Sequence, residues 1–334
     1  MQISNYRIAD MHCDTISEIL TRQNSGEDCS LRSNRLHVDL ERMIKSGYLI
    51  QNFALFVQTR KCEKSPWDAV CDLYEVYKRE LAANEDVLAS VLAYEDIEHN
   101  RAAGKISSML TVEEGAVCGG GLQKLHMLYD MGVRMMTLTW NFPNELAWPN
   151  INMDGEVKLY LPEVTHGLTE KGREFVACMN ELGMIVDVSH MSDAGFYDVL
   201  ECSSKPFVAS HSNARTICGC VRNLTDDMIR KLAERGGCMG LNFCADFLEQ
   251  MPEGVTNPGT IAAVVRHARH IVNVGGIEVL GLGSDFDGID THEELPGAEC
   301  MGLLWEALHK AGFTQGQLEK IFAGNVLRVY REVL

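Results

Sequence analysis

The sequence predicts a single α/β domain spanning residues 1–334, a (β/α)8 barrel of the TIM type. Three observations carry this. Short apolar, β-branched runs recur from end to end, at about 8–14, 49–57, 107–114, 134–140, 184–190, 206–211, 237–243 and 279–285. Helical patterns separate them, and no linker or repeat divides the chain. Eight strands, each followed by a helix, is the arithmetic of a closed parallel barrel.

The elements follow from local signals. Helical periodicity covers Trp67 to Ala82, Leu122 to Met131, Thr169 to Leu182, Asp226 to Glu234 and Thr260 to Val274, the last four followed by glycine within two residues. An open dinucleotide-binding sheet would place a Gly-rich phosphate turn after the first strand, and none is there. Gly119-Gly120-Gly121 follows the third run but lacks the Lys-Ser/Thr of a phosphate-binding loop, so it reads as a flexible turn.

Composition excludes several classes. Hydrophobic residues make up 46% and charged residues 23%, as in an ordinary soluble protein. A formal charge of −17 argues against a nucleic-acid partner, which would require clustered positive charge. No apolar run reaches membrane-spanning length, and the N-terminal residues lack the apolar core of a signal peptide, so a cytoplasmic location is expected. The twelve cysteines form no Cys-x-x-Cys pair and read as reduced thiols filling apolar space. Cys218 and Cys220, separated by a single residue, are the nearest approach to a structural metal motif.

In a barrel, residues at the carboxyl ends of the strands converge on one mouth. Read in order, those ends carry His12 and Asp14, then Glu113-Glu114, then His190, then His211, then Asp285 and Asp287. His12 and Asp14, two apart, share a face of a strand. Each residue alone has an ordinary structural reading, such as a hydrogen-bonded histidine or an aspartate N-cap. Together, three histidines and several carboxylates at one mouth would repel or go unpaired without a cation. The count exceeds one tetrahedral ion and suits two ions about 3.5–4 Å apart. Spacing alone admits zinc, manganese or iron. His267 and His270 share a helical face without a completing carboxylate, and His292-Glu293-Glu294 lacks the second histidine of a zinc-protease helix.

These residues resemble the membrane (renal) dipeptidases and their bacterial relatives, zinc enzymes on a (β/α)8 barrel. The resemblance runs through Asp-x-His-x-Asp at 10–14, Val-Glu-Glu-Gly at 112–115, Val-Asp-Val-Ser-His at 186–190 and Ser-His-Ser at 210–212. It continues through Val-Arg-Asn-Leu-Thr-Asp-Asp at 221–227, Gly-Ser-Asp-Phe-Asp-Gly at 283–288 and Gly-Asn-Val-Leu-Arg-Val at 324–329. It implies two zinc ions, one held by His12 and Asp14 and the other by His190 and His211. Glu114 would bridge them, since it directly precedes the glycine as the family's bridging residue does. It also implies that Arg222 binds the substrate carboxylate and that Asp285, beside the bridging water, handles its proton. The animal enzymes carry a histidine where this chain has Trp140. Indole cannot take a proton, so Trp140, with Asn141 beside it, is expected to wall the substrate pocket.

The implied activity is hydrolysis of dipeptides, with a D-residue accepted at the C-terminal position, by a chain that resembles homodimeric relatives. The competing readings are a metal-dependent amidohydrolase acting on a non-peptide amide or lactam, and a catalytically silent metal-binding scaffold.

Overall fold

A computed structural model describes residues 7–252, 255–291 and 293–334. His292, and the first six residues on which the signal-peptide expectation largely rests, lie outside the described residues. Among the described residues nine strands occur: β1 (Ile8–Asp10), β2 (Tyr48–Phe56), β3 (Leu88–Ser90), β4 (Ile106–Glu113), β5 (Val133–Thr137), β6 (Ile185–Asp187), β7 (Val208–Ala209), β8 (Cys238–Leu241) and β9 (Leu280–Leu282). Every pairing between them is parallel.

The order β2-β1-β9-β8-β7-β6-β5-β4, with β2 also paired to β4, closes eight strands into a ring, and β3 adds to the start of β4. The (β/α)8 barrel is therefore the observed fold, and each expected apolar run overlaps one barrel strand. β3, Leu88-Ala-Ser, has no counterpart among those runs.

Parallel neighbours require crossover connections, and the helices that supply them start on identifiable caps. Ser65, Thr169, Thr225 and Thr260 each accept a hydrogen bond from the backbone N–H three residues on. The helix Glu170–Leu182 ends on Gly183 at φ 75°, a left-handed conformation that costs glycine little.

Alternation along the strands divides the core in two. On β4, Leu110 and Val112 face the helices, whereas Met109 packs inside the barrel with Met11, Ile50, Met135, Ile185 and Val208. This inner cluster lies at the amino ends of the strands, where the C-terminal helix Asn325–Val333 closes the barrel as a floor. Val326, Val329 and Tyr330 bury against it, and the Tyr330 hydroxyl donates to Asn52 Oδ1 at 3.0 Å. Asn325 donates to the carbonyls of Ile277 and Leu280, and Arg328 to those of Gly237 and Glu278. The Gly-Asn-Val-Leu-Arg-Val run thus serves the floor, far from the mouth. Among the described residues no helix is long and apolar enough to cross a membrane, and all twelve cysteines are free thiols.

Tyr330→Ala is expected to cost about 3–5 kcal/mol in urea unfolding, the usual range for emptying a large buried aromatic site. Tyr330→Phe should cost about 1 kcal/mol, since it leaves Asn52 Oδ1 without its donor.

Candidate metal centre

The carboxyl ends of β1, β4, β6, β7 and β9 bring His12, Glu113, His190, His211 and Asp285 together, with Asp14 beside them. All six are nearly inaccessible to solvent. Glu113 is the hub. Its Oε1 lies 2.9 Å from His190 Nε2 and 3.4 Å from His211 Nε2, and its Oε2 lies 3.4 Å from His12 Nε2. His12 Nε2 is also 3.3 Å from Asp14 Oδ2 and 3.8 Å from Asp285 Oδ1.

The structure corrects one expectation here. Glu114, expected to bridge the two metal positions, does not face the histidines. It leaves the strand at φ 100°, and its carboxylate accepts from the backbone N–H groups of Ala116 and Trp140 and from Asn144 Nδ2 at 2.6 Å. Burial pushes its pKa up to about 7, against the lowering effect of those bonds. Glu113 takes the position instead, because it continues the inward parity of Met109 and Thr111 while Leu110 and Val112 point outward. The sequence offers no signal for this parity, because both faces of β4 are buried and only barrel closure assigns one of them to the interior.

The other predicted residues fall as follows. Asp285 Oδ2 accepts from Asn242 Nδ2 at 2.8 Å, which leaves Oδ1 turned toward His12. Asp287 faces away from the centre: it accepts from Thr15 Oγ1 and from the His37 backbone N–H. Arg222 pairs with neither Asp226 nor Asp227, which instead bind His270 and Tyr197. Its guanidinium, 5.3 Å from the Phe247 ring centre, donates to the His211 carbonyl at 3.3 Å, and its buried Nε has no partner. Trp140 packs between Phe56 and Phe142 and lies 6.1 Å from the His190 ring. Asn141 makes a contact that sequence reasoning missed, its Oδ1 2.9 Å from His190 Nδ1. His267 is structural, bonded to the Ala214 N–H and the Leu248 carbonyl.

Above these groups opens a cavity of about 910 Å³, lined on one side by Phe56, Trp140 and Ile151 and on another by Arg222 and Phe247. Its backbone is strained where it meets the centre. Among the described residues, the non-glycine residues with positive φ are Glu114, His190, Asp285 and Asp287, all just past strand ends at the mouth. Such conformations cost about 1–3 kcal/mol each and gather at functional sites.

Charge balance at the centre favours a cation. Burial drives the pKa of His190 down to about 4, assisted by Arg222, and pushes His211 well below its usual value. Burial also opposes a charge on His12, yet Glu113 and Asp14 outweigh it and raise its pKa. In turn the histidines outweigh burial at Glu113 and hold it well below the usual carboxylate range. The Glu113 and Asp14 carboxylates thus favour positive charge at His12, as they would favour a metal cation beside it. The nearest atoms agree: His190 Nε2 and His211 Nε2 are 3.0 Å apart, and Asp14 Oδ1 and His12 Nδ1 are buried without partners. Imidazole nitrogens and carboxylate oxygens converging within 4.8 Å of one another fit divalent metal ligation.

Barrel and mouth together define a metal-dependent hydrolase of the (β/α)8 class. The sequence model of the membrane dipeptidase family, peptidase family M19, matches residues 3–334, and the chain belongs to that family. An uncharacterized dipeptidase of Schizosaccharomyces pombe is 32% identical, the match covering 89% of this chain and 72% of that one. The crystal structure of dipeptidase AC, an M19 metallopeptidase, is 25% identical and superposes with a TM-score of 0.89 over 99% of each chain. A metallopeptidase from Rhodobacter sphaeroides, solved with a phosphinate mimic of L-Ala-D-Ala, is 24% identical, with a TM-score of 0.87 over 99% of this chain and 100% of its own. This chain is accordingly a metal-dependent dipeptidase.

Glu113→Gln and Glu114→Gln separate the two adjacent carboxylates. Metal content measured on the purified variants should fall sharply for Glu113→Gln and stay near wild type for Glu114→Gln. The reverse outcome would restore Glu114 as the bridging ligand.

Proposed function

We propose that the chain is a two-zinc dipeptidase whose ligands are His12, Asp14, Glu113, His190 and His211, with Glu113 shared between the two ions. The observation that carries this reading is the Glu113 carboxylate, whose two oxygens face different imidazoles, Oε2 toward His12 and Oε1 toward His190 and His211. When bound, two zinc ions would supply a water activated near neutral pH and an electrophile for the scissile carbonyl.

The chain's own residues do the rest. Arg222 receives the substrate's terminal carboxylate, for which a buried guanidinium with an unpartnered Nε is suited. Asp285 moves the proton to the leaving amine through Oδ1, because Asn242 occupies Oδ2. Trp140 and Phe56 form an apolar wall that excludes water and limits side-chain size. A D-residue at the C-terminal position is accepted, a reading supported by the dipeptide mimic bound in the Rhodobacter relative. Twelve unpaired thiols support a reducing, cytoplasmic setting.

The test is a dipeptide library, paired by chirality at the second residue, against protein stripped of metal and then reloaded with zinc. Activity should vanish on stripping and return with two equivalents of zinc per chain. Arg222→Met should raise KM about 10–100-fold, the loss expected for a charged hydrogen bond. Asp285→Asn should lower kcat about 10²–10⁴-fold, as for a lost acid-base group. Activity on non-peptide amides that is indifferent to Arg222→Met would favour the amidohydrolase alternative.

A further inference from the structure

We infer that Asp187 and Ser210 form a hydrogen-bond relay that sets the tautomer of His211 and so aims its Nε2 lone pair at the metal centre. Neither residue touches the ligand cluster except through His211. Asp187 ends β6, Ser210 directly follows β7, and both are fully buried.

The direction of the relay follows from counting protons. Asp187 Oδ1 accepts from the backbone N–H groups of Ser189 at 3.0 Å and Ser210 at 2.8 Å. Its Oδ2 accepts from Thr137 Oγ1 and from Ser210 Oγ, both at 2.6 Å. A carboxylate only accepts, so the single hydroxyl proton of Ser210 is committed to Asp187. Ser210 Oγ also lies 2.7 Å from His211 Nδ1. With its proton spent, that oxygen can only accept there, and Nδ1 must carry the ring proton. Nε2 is then bare, and it is the atom that faces Glu113 and His190.

A neighbouring contact reinforces the direction. Ser189 Oγ accepts from the His211 backbone N–H at 3.1 Å, which leaves its own proton available to Ser210 Oγ at 3.3 Å. His190 reaches the same tautomer by a shorter route, through Asn141 Oδ1. His12 has no such partner, since its Nδ1 is buried and unbonded. Asp187 and Ser210 are thus positioning residues that act through His211. Partners of this kind typically carry a 10–100-fold share of metal affinity.

This inference rests on the metal-centre reading, and its test separates the two. Nitrogen-15 NMR of histidine-labelled, metal-free wild-type protein reads the His211 tautomer directly, and zinc affinity is measured by chelator competition. The expected wild-type form is Nδ1–H. Asp187→Asn puts an amide donor against Ser210 Oγ, which turns the serine proton toward His211. It should convert the ring to Nε2–H and weaken zinc binding about 10–100-fold. Ser210→Ala should weaken it similarly. Thr137→Val is the structural control: it removes another bond to Asp187 without entering the relay, so it should lower the melting temperature but leave zinc affinity within about twofold. An Nε2–H ring in wild-type protein would overturn the relay. So would wild-type zinc affinity in both Asp187→Asn and Ser210→Ala. If Asp187→Asn does not fold, the wild-type spectrum and Ser210→Ala still decide. A wild-type protein that binds no zinc would overturn the metal-centre reading, while the spectrum would still judge the relay.

Discussion

The mouth of this barrel depends on one buried carboxylate. Glu113 lies within reach of three imidazole nitrogens contributed by the ends of β1, β6 and β7. Burying its charge without compensation would cost several kcal/mol, so the neighbouring strand ends must keep positive charge or metal-ligating nitrogens in place around it. The left-handed backbone at His190 and Asp285 follows from the same demand, since each residue turns sharply as the chain leaves its strand. The strain is held because both ends are tied down, His190 by Asn141 and Asp285 by Asn242.

What allows the strand ends to converge is the absence of side chains where they crowd. A Cβ on Gly283 would stand 1.7 Å from the Ser210 carbonyl oxygen, and one on Gly240 would stand 2.1 Å from the same atom. Asp10 adds a tie between β1 and β9, accepting from both the Ser284 N–H and its hydroxyl. Asp187 does the same between β6 and β7. Two buried Asp–Ser staples thus flank the histidine–carboxylate cluster, each joining adjacent strand ends. The opposite end of the barrel carries none of this chemistry, and its floor is apolar packing sealed by Arg328 and Asn325. Stability and reactivity are assigned to opposite faces of one sheet, as barrels commonly arrange them.

The substrate side is asymmetric in a way that suits a small zwitterion. An aromatic wall from β2 and the segment after β5 faces Arg222, which the Asp193–Arg215 pair buttresses from behind. Arg215 binds Asp193 through both terminal nitrogens and donates to the carbonyls of Val221 and Asn223, on either side of Arg222. These bonds fix the backbone on both sides of Arg222, so the anion-binding role proposed for it would need less ordering.

The barrel was legible in the sequence because eight alternating strand and helix patterns repeat at a scale local chemistry can display. The family was legible because its motifs sit at strand ends, where residue type reports chemistry. His12, Asp14, His190, His211 and Asp285 could all be named on that basis, and the structure brings them together. The choice between Glu113 and Glu114 could not rest on motif position. It belonged to the inward parity of β4, fixed by which face of that strand closes the barrel interior. The short β3 strand, Asn141 as the partner of His190 and the Asp187–Ser210 relay likewise emerged only from tertiary structure. Each joins residues from different strands or strand-end loops, so no local spacing records it. Local pattern determines what each segment is, but only closure of the sheet determines which side chains meet.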